Sequence, residues 1–87
     1  MNIKTFEPNV KRVIRWYSKY GDDFVGEKII NNVKLSYLQR LFKIDSDNPM
    51  YDCYPIVSLE QKNYIERNFN IRLNTNLYEY FMECEPI

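Results

Sequence analysis

The chain has no histidine, two glycines and two cysteines in 87 residues. Without histidine the commonest general base, the usual base partner of a Ser or Cys nucleophile and the commonest metal ligand are missing, which excludes most hydrolytic triads. Two cysteines supply neither the four Cys/His ligands of an ordinary zinc site nor a disulfide framework, so Cys53 and Cys84 read as buried thiols. Gly21 and Gly26 cannot build a P-loop or a dinucleotide fingerprint; Gly21 has the plain role of allowing positive φ in a turn. No window approaches the roughly 18 consecutive apolar residues of a membrane span, and residues 1–7 (MNIKTFE) lack the apolar stretch of a signal peptide. A cytoplasmic protein without membrane attachment is expected.

Carboxylates are present, but their pattern assigns no chemistry. Asp45, Asp47 and Asn48 resemble the start of a calcium loop, yet Met50 stands where its glycine belongs and Ile56 where its final acid belongs. Eight acids in the second half make some carboxylate pair inevitable in any fold, so no acid/base pair is assigned. The expectation is a protein without catalytic residues, metal, cofactor or small-molecule substrate.

What remains is ample for folding. An apolar fraction of 45% and an aromatic fraction of 16% exclude a disordered chain, and the length provides one domain over residues 1–87. Val10 to Tyr20 is β-branched and aromatic and reads as a strand, with Ile14 and Trp16 on one face and Val13, Arg15, Tyr17 and Lys19 on the other. Gly21-Asp22-Asp23 is a turn, and Phe24 to Ile30 completes a hairpin. Ser36 with Gln39, and Ser58 with Gln61, match the capping box and predict helix starts, the first helix ending near Ile44 and the second near Phe69. Leu77 to Cys84 reads as a last strand whose buried face the alternation does not decide. Pro49 to Pro55, bounded by prolines, cannot be a central strand.

The predicted order is therefore β-β-α-α-β: an α+β domain with a three-stranded antiparallel sheet and two helices packed on one face. The last strand can pair with either hairpin strand. Pairing with the first brings Glu79 and Glu83 near Arg12, Arg15 and Lys19. This matters because the zero net charge is unevenly spread. Residues 1–44 hold nine Lys/Arg and four Asp/Glu, residues 45–87 three and eight. The dipole either closes inside the fold or faces a partner of opposite sign.

Two binding readings follow. Acids and tyrosines crowd into the second half, and Asp45, Asp47, Tyr51, Asp52, Tyr54, Glu79, Glu83 and Glu85 form a candidate surface for a basic protein. Alternatively, Lys11, Arg12, Arg15, Trp16, Tyr17, Lys19 and Tyr20 interleave bases with aromatics as single-strand nucleic-acid binders do. Zero net charge weighs against the second, because phosphate binders carry an excess of bases. A third arrangement, docking through a sheet edge, would suit a subunit or regulator.

Trp16-Tyr17, Asp23 to Glu27, Leu35 to Phe42 and, most sharply, Asn48 to Pro55 together resemble a family of small bacterial domains. Some of these sit beside polymorphic toxins, as immunity proteins of contact-dependent growth inhibition do. The resemblance spans roughly residues 15–69. It implies a cytosolic protein that binds a toxin domain, often a nuclease acting on tRNA or DNA, and blocks it. The acidic second half suits that role, since a nuclease active site is basic.

Overall fold

The computed structural model describes residues 8–87. The order is β1 (Val10–Ser18), β2 (Phe24–Ile30), α1 (Leu35–Phe42), β3 (Tyr54–Pro55), α2 (Leu59–Phe69) and β4 (Tyr78–Pro86). The strands form one antiparallel sheet in the order β2-β1-β4-β3. The fold is thus α+β with two helices, as expected, but the sheet has four strands and not three. The extra strand is the two-residue β3, which lines Tyr54 against Met82 and Pro55 against Phe81. Proline is tolerated there because β3 is an edge, where its missing N–H interrupts no ladder.

β4 pairs with β1 along nine residues, from Val10 opposite Pro86 to Ser18 opposite Tyr78. This register buries Tyr80 and Met82 on the face that Ile14, Trp16 and Ile30 also line. The helices close that face: Leu35 and Leu38 from α1 and Ile65 from α2 join Met50 and Ile56 in one core. Each such side chain, fully buried, stabilises by roughly 1.5–3 kcal/mol relative to leaving it exposed. Among the described residues no helix covers the other face of the sheet.

The hairpin closes through Ser18 N–H to Asp23 O at 2.7 Å, with Gly21 at φ +146°. Between Trp16 and Tyr17 the register slips by one, which leaves Val25 without a partner as a bulge. Gly26 is required beside it: a Cβ there would stand 2.6 Å from the Trp16 ring.

The second capping box forms as predicted, Gln61 N–H donating to Ser58 Oγ while Gln61 Oε1 accepts from the Ser58 N–H. The first does not. Helix α1 starts two residues earlier, with Lys34 as N-cap and no side-chain cap, because Leu35 must lie inside the first turn to reach the core. Ser36 falls within the helix, and Gln39 turns elsewhere. The helix ends at Lys43, in the left-handed region, with Ile44 N–H bonded back to Gln39 O at 2.8 Å.

Candidate functional site

The proline-bounded segment is held from below by buried polar groups. Arg12 and Gln39 are the buried polar side chains among the described residues, and both serve this loop. Gln39 donates from Nε2 to Ser46 O at 3.1 Å and Asn48 O at 2.7 Å. Arg12 donates from Nη1 to Met50 O and from Nη2 to Pro49 O, the latter at 2.8 Å. Asn48 Oδ1 accepts from the Met50 N–H at 2.8 Å, and Met50 takes φ +57° while its side chain is fully buried. The backbone of residues 46–50 is thereby tied at successive positions to β1 and α1. A non-glycine residue in the left-handed region costs about 1 kcal/mol or more and persists only where its surroundings impose it.

From this anchored loop four predicted site residues, Asp45, Asp47, Tyr51 and Asp52, stand exposed. None of their side chains has a hydrogen bond or ion pair among the described residues. Tyr51 also borders a shallow, mainly apolar cleft with Val10, Cys84, Glu85 and Pro86. Tyr51 therefore sits at one end of the sheet, by the start of β1 and the end of β4, whereas Asp45 and Asp47 stand on the turn that Gln39 ties to α1.

The other predicted residues divide. Glu83 and Glu85 are engaged inside the protein: Arg15 donates to Glu83 at 2.9 Å, reaches Glu85 at 2.9 Å, and bonds Glu27 at 2.9 Å as well. Glu27 first, then Glu83, raise the guanidinium pKa above its ordinary value. Glu83 also accepts from Tyr17 Oη at 3.1 Å and from Cys53 Sγ at 3.6 Å. Burial, reinforced by Glu83, pushes the Tyr17 phenol up. The same two causes push the Cys53 thiol up to about 11. Cys53 is exposed rather than buried, yet it is held as a neutral thiol and not as a nucleophile. Tyr54 is half-buried, its ring 6.1 Å from that of Phe42, and acts as a packing residue. Glu79 is exposed at the far end of β4, beside Lys19 and Lys62 in a separate cleft of about 280 Å³.

The cations of β1 are engaged too. Arg12 is buried, Arg15 holds three carboxylates, Lys11 lies 3.9 Å from Glu85, and Lys19 donates to Thr75 O at 2.7 Å. Trp16 packs against Tyr80 with ring centroids 5.5 Å apart. The charge dipole of the sequence thus closes only in part across the β1/β4 ladder, where Lys11 and Arg15 meet Glu83 and Glu85, while Arg12 and Lys19 bond carbonyls and Glu79 has no ion pair among the described residues. Sequence reasoning missed Arg12, Gln39 and Met50 as organisers of the loop. Only parity could have found Arg12, which shares the inward face of β1 with Ile14.

Among the described residues no three His, Cys, Asp or Glu side chains gather closely enough to hold a metal ion. No described helix is long and apolar enough to cross a membrane. Residues 11–83 match the family described as "Domain of unknown function (DUF7683)", and the chain belongs to that family. A comparison with curated proteins finds no match.

Proposed function

We propose that this domain is a cytoplasmic immunity-type protein that neutralises a toxin domain by stoichiometric binding, presenting its anchored acidic loop to a basic surface such as a nuclease active site. One observation carries this reading. Asp45, Asp47, Tyr51 and Asp52 are exposed and uncommitted while the backbone beneath them is fixed by Arg12 and Gln39. A binding loop ordered before encounter avoids much of the entropic cost of association, and unpaired carboxylates speed the approach of a basic partner. Glu83 and Glu85 enter as supports: both are ion-paired with Arg15, and Glu85 also borders the Tyr51 cleft.

The alternative, nucleic-acid binding through β1, draws less from the geometry, because Arg12, Arg15 and Lys19 are committed to internal partners. A catalytic role likewise finds no activated nucleophile at Cys53.

Co-expression tests the proposal. Cells producing the toxin encoded beside this gene should survive when the wild-type chain is present, and the triple change Asp45→Lys, Asp47→Lys, Asp52→Lys should abolish protection while leaving the circular dichroism spectrum unchanged. Equal killing with and without the wild-type chain rejects the immunity reading.

A further inference from the structure

The two edges of the sheet are treated differently. Beyond β4 lies the short β3, ending in Pro55, and then the loop that leads to α2. Beyond β2, among the described residues, nothing pairs. β2 has seven residues and no proline, and it exposes Phe24, Val25 and Ile29. Ser18 N–H bonds to Asp23 on the β2 side, whereas Lys19 N–H bonds to Leu77 on the β4 side. Antiparallel ladders alternate, so even-numbered residues of β1 face β2. Their partners Gly26, Lys28 and Ile30 use their backbone groups on β1. Glu27 and Ile29 turn N–H and C=O to the open side.

Next to this edge, on the helical side of the sheet, is a cleft of about 370 Å³ between β2 and the end of α2. Lys28, Ile30, Asn31, Asn68, Phe69 and Asn70 line it. Its one charged group is Lys28, which has no carboxylate partner among the described residues. We infer that β2 is a docking edge for an extended segment of another protein, added as a fifth strand, with an acidic side chain entering the cleft towards Lys28 and an apolar neighbour covering Ile29. Main-chain bonds from Glu27 and Ile29 would supply affinity, and the cleft would supply selectivity, as in other strand-addition sites.

Charge decides between this occupant and a second copy of the chain. The two-fold pairings that use most of β2 set Lys28 against Lys28 or Glu27 against Glu27, and directly opposed like charges destabilise a strand pair. Together with the Val25 bulge they guard the edge against its own kind. A strand with an acid at the Lys28 position meets no such obstacle. The cleft shares no lining residue with the acidic loop, so this site stands or falls apart from the immunity reading.

A random linear peptide library displayed on phage, panned against the full chain, tests the assignment. Enriched peptides should carry Asp or Glu beside an apolar residue, and binding should protect the Glu27 and Ile29 amides from hydrogen exchange. Ile29→Pro removes an outward N–H without touching the β1 ladder, and Lys28→Glu reverses the cleft charge. Each should weaken binding by about tenfold or more in fluorescence polarisation, whereas Asp45→Lys should leave it unchanged. Lys28→Glu carries the test alone if the proline variant does not fold. The assignment is overturned if no peptide is enriched, or if selected peptides bind Lys28→Glu as well as the wild type. It is also overturned if the wild type sediments as a dimer that Ile29→Pro dissolves, which would give the edge to a second copy.

Discussion

Replacing Arg12 with methionine keeps the length and apolar stem of the side chain and removes its guanidinium. Two bonds disappear, to Met50 O and Pro49 O. The carbonyls cannot be removed with them, and Arg12 is only 7% exposed, so water does not simply take its place. A buried acceptor left unpaired costs about 1–3 kcal/mol. Two acceptors, one of them at a half-buried proline, bring the expected loss to about 3 kcal/mol. In a domain of this size 1 kcal/mol moves Tm by about 4–8 °C, so Arg12→Met should melt about 12–24 °C below wild type by circular dichroism. Amides of residues 46–52 should exchange faster well below the melting range. Arg12→Lys should recover part of the loss, because one ammonium lacks the fork that spans both carbonyls. Lys11→Met is the comparison: its exposed ion pair with Glu85 at 3.9 Å is worth roughly 0–1 kcal/mol. If Arg12→Met proves no more costly than Lys11→Met, the loop is not held in the way described.

Gly26→Ala forces a methyl into the Trp16 indole and should cost about 1–3 kcal/mol in urea unfolding, with a change in tryptophan emission. Ser58→Ala removes a formed cap and should cost about 1 kcal/mol, whereas Ser36→Ala should be nearly neutral, since Ser36 caps nothing. Cys53 should react slowly with a thiol reagent at pH 8, and Glu83→Gln should accelerate it by removing the carboxylate that opposes thiolate formation. Because the folded state holds that proton more tightly, the thiol's contribution to stability is complete below about 9 and is lost as pH rises towards about 11, which denaturant titrations across that range should register.

The legible parts of the fold were those decided by neighbouring residues. The hairpin followed from a Gly-Asp turn between β-branched runs, and the start of α2 from a capping box whose glutamine serves Val57 and Leu41 as well without leaving the cap. The same four-residue pattern misled at Ser36, because the loop carbonyls of Ser46 and Asn48 claim Gln39 and the core claims Leu35. β3 has no sequence signature: two residues pair only because β4 lies beside them. The acidic surface was half legible. Exposed loop acids were recognisable as such, but which C-terminal glutamates Arg15 would pair with depended on the β1/β4 register, which joins strands far apart in the chain. Arg12, read as one cation among several, is separated from Met50 by 38 positions, and no local rule connects them.

Placing β1 and β4 side by side also sets how the domain responds to force. Val10 and Pro86 are directly opposed, so a load applied at these two residues acts on one residue pair at a time and opens the ladder as a zip rather than shearing it as a block. Arg12, opposite Cys84, lies two pairs in. A modest pull at this end would therefore detach the guanidinium from Pro49 and Met50 while Ile14, Met82 and the rest of the core were still closed. The acidic loop would lose its shape before the domain lost its fold.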